Sequence, residues 1–268
     1  MKRIVCLVLA AMLAGCAGEP ARERPSRAQQ VIDLGQQGQA AYAKGDLPRA
    51  ARQFEQALTN ARRIEDSEGV AVMSINLARV SRESGGSASA LKILESVSRW
   101  HRGNMAAKTA REMDLLAAVL LSDLDRRDEA LARLQTLREQ CQTACEAGIG
   151  IDSLHARLML EKGEAGVAAQ LATAAIARFR SHGNQPEVAN LFRVQGEAYM
   201  ALGDFATARQ SLENALSIDK ALGQPARIAQ DLDALARAAL AARDNAAHAA
   251  YLARLEDVRN ARAGNASR

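Results

Sequence analysis

Aromatic side chains are nearly missing from this chain: Phe, Trp and Tyr make up 3% of its 268 residues. The 48% apolar share is carried mostly by Ala and Leu. Without β-branched and aromatic residues a sandwich or barrel has little to pack across its pleated surfaces. Proline is equally scarce, with 5 residues, so long helices go uninterrupted. Histidine occurs 4 times, at His101, His155, His182 and His248, and no two of these stand three or four residues apart. That excludes a paired-histidine metal site on one helix face. No glycine-rich phosphate loop, dinucleotide fingerprint or nucleophile elbow is present. Gly148-Ile149-Gly150 reads as the entry to a helix. The sequence therefore predicts no catalytic residue, no metal and no cofactor. Cationic runs are absent too. The formal charge is only +4, Lys2 and Arg3 would leave with a leader, and positive and negative residues alternate as on solvated helices. Nucleic acid is not the expected partner. What remains is an all-α chain in which small residues let helices pack closely.

The first residues carry an address. Met1-Lys2-Arg3 is a short positive region, and Ile4 to Leu13 is an apolar run too short to span a bilayer as a mature helix. Leu13-Ala14-Gly15-Cys16 follows and resembles the lipobox of bacterial lipoproteins. The resemblance implies a signal peptide over 1–15, cleavage before Cys16, and acylation of that cysteine. An ordinary cleaved leader with a chance cysteine is the alternative. Ala17 in place of Asp implies sorting to the periplasmic face of the outer membrane, with the inner membrane as the other destination. Residues 16–27 contain two prolines and no apolar period, so they read as the lipidated N-terminus and its flexible tether.

Two stretches of the chain repeat one another. Gly38 to Leu58 and Gly196 to Leu216 share a glycine, a Gly-Asp turn seven residues on, then an alanine, a large apolar residue and Ala-Leu at fixed offsets. In that register four weaker copies emerge. The turn column reads Gly45, Gly85, Asp125, Gly163, Gly203, Arg243, and the small column Ala50, Ala90, Ala130, Ala168, Ala208, His248. A large column reads Phe54, Leu94, Leu134, Ala172, Leu212, Leu252, followed by Ala57, Val97, Leu137, Ala175, Ala215, Leu255. The units resemble tetratricopeptide (TPR) repeats, although the period is near 40 residues where about 34 is usual for that family.

The resemblance implies a right-handed α-solenoid of six helix pairs over 28–260, with 261–268 as a disordered tail. It implies a concave face built from the first helix of each pair, a protein partner bound there, and no chemistry. Tyr42, Arg79, Arg82, Arg157, Arg193 and Arg237 are the residues expected to face that partner. Their arginines suit an acidic peptide. They could equally satisfy neighbours four residues away, as in Arg79–Glu83, Arg157–Glu161, Arg193–Glu197 and Asp233–Arg237. Lipoproteins of this build include pilotins, an assembly factor for outer-membrane β-barrels and adaptors for peptidoglycan hydrolases. A small-ligand or peptide receptor, or an enzyme using the same groove, is the competing reading. His155 and His248 fall in packing columns, and His101 and His182 in turns between pairs. Cys141 and Cys145 lie where the period slips to 38. They read either as a short-loop disulfide, which an oxidising compartment favours, or as two thiols at a helix end.

Overall fold

The computed structural model describes residues 25–141, 145, 147–180 and 184–266, and every regular element in them is a helix. Cys16, the lipobox and His182 lie outside the described residues. The helices form six antiparallel pairs. The first is α1 (Arg27–Ala43) and α2 (Leu47–Arg63); the second is α3 (Ser67–Glu83) with α4 (Ser87–Glu95) and α5 (Arg99–Gly103). Then come α6 (Ala107–Asp123) with α7 (Arg127–Cys141), and α8 (Gly148–Glu161) with α9 (Ala165–Phe179). The last two are α10 (Gln185–Ala201) with α11 (Phe205–Ala221), and α12 (Pro225–Ala241) with α13 (Asn245–Ala266). Helices pack on their sequence neighbours and on the corresponding helix of the next pair, the arrangement of a solenoid.

The 40-residue period has a simple origin. Two 17-residue helices and two three-residue turns make one unit, as in α1 and α2. Every residue of the turn column adopts a left-handed backbone: φ is 75° at Gly45, 81° at Gly85, 85° at Gly163 and 80° at Gly203. Asp125 and Arg243 take φ 61° without being glycine. Each such turn is closed by a six-to-one hydrogen bond, for example Asp46 N to Ala41 O at 3.0 Å and Asp204 N to Tyr199 O at 3.0 Å. Asp46 and Asp204 then cap the following helix by accepting from the backbone N–H three residues on. The Gly-Asp pair thus ends one helix and starts the next.

The columns pack as the register requires. Ala50, Ala90, Ala130, Ala168 and Ala208 are wholly buried, as are Leu94, Ala172 and Leu212. Gly38 and Gly196 mark the closest approaches. A Cβ on Gly38 would stand 2.6 Å from the Phe54 ring, and one on Gly196 2.6 Å from Leu212.

Four expectations need correction. Leu252, assigned to the large column, is 42% exposed, because among the described residues only α12 packs against α13; Leu255 makes the buried contact. Residues 261–266 continue α13 where a disordered tail was expected. The second helix of the second pair is broken although the spacing there is regular. Ser96 Oγ donates to Ile93 O at 2.7 Å, Arg102 donates to Leu94 O at 2.9 Å, and Ser98 caps α5. His101 consequently sits in a short helix, its Nδ1 3.0 Å from Ser67 Oγ, and not in a turn. His248 does pack, donating from Nδ1 to Ala236 O at 2.9 Å.

Candidate interaction surface

The first helices α1, α3, α6, α8, α10 and α12 run parallel and in register. Their N-terminal ends meet, as where Glu68 of α3 accepts from Ala106 N and from Thr109 Oγ1 at the start of α6. Their C-terminal ends meet through the residues the sequence singled out. Tyr42 donates its phenol proton to Glu83, one pair along. Burial, then that carboxylate, pushes the Tyr42 pKa up to about 12. Arg82 grips Asp123 with both arms, at 2.5 and 3.1 Å, and this bond raises its already high pKa. Arg79 reaches Glu112 at 2.6 Å. Arg237 lies 3.2 Å from Asp233 and 3.5 Å from Glu197. Arg157 lies 3.9 Å from Glu161, which Arg127 also approaches at 3.5 Å.

The within-helix pairing read from the sequence therefore holds for Arg157 and Arg237. It fails for Arg79, whose carboxylate comes from the next unit: stacking in register brings residues 33 apart closer than helical neighbours. Exposed pairs of this kind contribute about 0–1 kcal/mol each, so a partner's carboxylate can replace one at small cost. Arg79, Arg82, Arg157 and Arg237 remain 38–54% exposed and accessible.

Arg193 does not belong to this surface. Its side chain is 6% exposed and lies between Asp219 of α11, 1% exposed, and Asp231 of α12, wholly buried. Nε donates to Asp231 Oδ1 at 2.6 Å, and a terminal nitrogen donates to Asp219. The other terminal nitrogen reaches Asn190 Oδ1. Asp231 Oδ2 has no partner. Burial, with a smaller contribution from the Asp219 charge, raises the Asp231 pKa to about 6 against the opposing pull of Arg193. The sequence carried a signal for this cluster: Asp219 falls on the apolar stripe Leu212, Ala215, Leu216, and Asp231 stands between Ile228 and Leu235. A carboxylate at a core position needs a buried cation.

Two cavities flank α7, where the spacing slips. One of about 430 Å³ is bordered by Asp114, Glu129, Arg133 and Gln140; the other, about 320 Å³, by Leu134, Arg138, His155 and Met159. His155 is half-buried, its Nδ1 without a partner, and burial followed by Arg138 lowers its pKa. Beside them Cys141 and Cys145 have their sulfurs at bonding distance, with Cα atoms 5.2 Å apart. Among the described residues no group of three or more His, Cys, Asp or Glu could hold a metal ion.

No family model and no curated protein matches the chain. Solved structures do. The apo form of RapI superposes with a TM-score of 0.72 at 11% identity, over 97% of this chain and 92% of that one. PilW, a type IV pilus biogenesis factor, gives 0.61 at 16% identity over 85% and 93%. The Cut9–Hcn1 hetero-tetramer of the APC/C gives 0.69 at 14% identity; this chain spans 96% of itself but 43% of that partner's length. The fold is a TPR-type α-solenoid. Identities this low establish fold and no more.

Proposed function

We propose that this protein is a membrane-anchored scaffold, held at the periplasmic face of the outer membrane by lipid on Cys16, that recruits a protein partner to its concave face. It performs no catalysis in this reading. The observation that carries the proposal is the row of exposed arginine–carboxylate pairs along the first helices, which no other part of the described chain covers. Paired Cys141 and Cys145 suit an oxidising compartment. The likeness to PilW adds a precedent for this architecture in a type IV pilus biogenesis factor.

Two experiments address the two halves of the proposal. For the anchor, radiolabelled palmitate should enter the wild type and be absent from Cys16→Ser, which should also leave the membrane fraction once processed. An acylated serine variant would end the lipoprotein reading. For the surface, Arg79→Ala combined with Arg82→Ala should weaken partner capture from crosslinked membranes at least tenfold and reduce its dependence on salt. A guanidinium held only by an exposed neighbour contributes about 0–1 kcal/mol, whereas one bonded to a partner's carboxylate contributes about 1.5–3 kcal/mol. Helicity and melting temperature should hold steady. Undiminished capture by the double variant would return these arginines to the role of solvated pairs.

A further inference from the structure

Arg193 meets more negative charge than it can neutralise. The edge of a guanidinium that carries Nε and Nη2 ordinarily takes both oxygens of a single carboxylate. Here Nε donates to Asp231 Oδ1 and Nη2 to Asp219 Oδ2, so two carboxyl groups stand side by side on that edge. Nη1 is spent on Asn190 Oδ1 at 2.5 Å. Asp231 Oδ2, in a side chain with no exposure, has no donor. With both carboxyls ionised, the cluster would bury one uncompensated negative charge. A buried charge without a partner is removed by taking up a proton.

Among the described residues no second cation reaches the two aspartates. Lys220, next along α11, is exposed. On α10 and α12, Glu187 and Arg227 bond to Asn190, at 3.1 and 3.3 Å. Glu197 and Asp233 face Arg237 at the surface. The clusters bordering the site are apolar, with Ile176 of α9 and Leu191 in one and Leu216, Leu232 and Leu255 of α13 in the other. His248 of α13 donates from Nδ1 to Ala236 O, a bond that imidazole and imidazolium both make.

We propose that Asp219 and Asp231 hold one proton between them beside Arg193, and that this proton latches the sixth helical pair to the fifth. The three residues come from α10, α11 and α12, so the cluster joins both helices of the fifth pair to the first helix of the sixth. With the proton on Asp231, one carboxylate and one guanidinium balance. When it leaves to solvent, two carboxylates repel across one guanidinium edge, and α12 gains by letting water in. Burial favours the protonated form, and the Asp219 charge adds to it against the pull of Arg193, which puts the Asp231 pKa at about 6. That value stands above the unfolded one, so docking is strongest on the acid side and weakens as pH rises through it. Arg237 of α12 meets Glu197 of α10 at 3.5 Å, so the last stretch of the candidate surface is in place only while the pair is docked.

The full-length protein would be compared at pH 5 and pH 7.5. Difference infrared spectra should show the band of a buried protonated carboxyl at pH 5, gone at pH 7.5 and missing from Asp231→Asn. Hydrogen exchange, corrected for its intrinsic pH dependence, should be about tenfold faster in α12 and α13 at pH 7.5 than at pH 5. That ratio is expected for a carboxyl that titrates at about 6 when docked and 3.8 when exposed. Helices α1 to α4 should show no such change. Asp231→Asn keeps the shape and stays neutral, so its exchange should be the same at both pH values and slower than the wild type's at pH 7.5. Asp219→Asn should also lose the pH dependence, which keeps the test intact if the first variant fails to fold. His248→Gln should retain it in full. A missing band at pH 5, wild-type exchange that ignores pH, or a tenfold change that survives in both asparagine variants overturns the latch. A His248→Gln protein without pH dependence overturns it too, because the proton would then belong to the imidazole.

Discussion

Arg193→Ala should destabilise the C-terminal third of the protein by about 3–5 kcal/mol, the range for breaking a buried ion pair from one side. The variant keeps Asp219 and Asp231 within a core where both are at most 1% exposed, and removes the one cation among the described residues that reaches them. In a stack of repeats the damage stays near its source, so hydrogen exchange should accelerate in α10 to α12 and little in α1 to α4. Acid should rescue it. A carboxylate whose folded pKa is raised contributes stability that is complete below its unfolded value near 3.8 and is lost as pH rises through the folded value. Asp231 already sits at about 6 with Arg193 present, so its share is lost between about pH 4 and 6 in the wild type. Without the guanidinium that window extends upward, and the variant's urea midpoint should fall more steeply between pH 5 and 8 than the wild type's. A triple change to Arg193→Met, Asp219→Leu and Asp231→Leu should recover most of the loss, since apolar side chains of similar size need no partners. An Arg193→Ala protein with a wild-type midpoint at pH 8 would mean that the cluster is hydrated.

The repeat register was legible because it depends on local chemistry. A left-handed residue every 40 positions, followed by a capping side chain, fixes where helices stop and start before any of them pack. Even the non-glycine positions Asp125 and Arg243 kept the column, because the six-to-one closure matters more than the modest cost of φ near 61°. The break between α4 and α5 left no mark on the spacing: Gly85 and Asp125 are a full period apart, and the interruption is written only in two serines that divert backbone partners. The candidate surface was half legible. Which first-helix residues should face a partner was implied by the resemblance to TPR repeats, and of those named Tyr42, Arg79, Arg82, Arg157 and Arg237 stay at the surface. Which carboxylate each arginine meets depends on how successive units stack. That is why Arg79 was paired with the wrong residue and Arg193 with a surface partner. For Arg193 the missed clue was in the partners: an aspartate in an apolar stripe identifies the buried position more surely than the arginine does.

Ala208→Trp should be the most damaging single change in the small column, lowering stability by about 3 kcal/mol or more, above the usual range for overpacking. Ala208 is wholly buried, and its carbonyl oxygen would lie only 3.1 Å from a Cβ on Gly196 of the facing helix. α10 and α11 meet there with almost no side chain between them, so an indole could fit only by prising the pair apart. Gly196→Ala tests the same contact from the other side. Its new Cβ would stand 2.6 Å from Leu212, which is itself fully buried, so the variant should lose stability although alanine favours helix over glycine by about 1 kcal/mol. Leu252→Trp is the exposed control. It occupies the large column of the sixth unit, but at 42% exposure with only α12 packed on its helix among the described residues, and its melting temperature should stay within a degree or two of the wild type. The burial therefore makes a claim about position and not merely about size: a tryptophan should be damaging at wholly buried Ala208 of the fifth unit and tolerated at exposed Leu252 of the sixth. A tolerated tryptophan at 208 would mean that α10 and α11 can separate without loss, and that the small column is not what sets their distance.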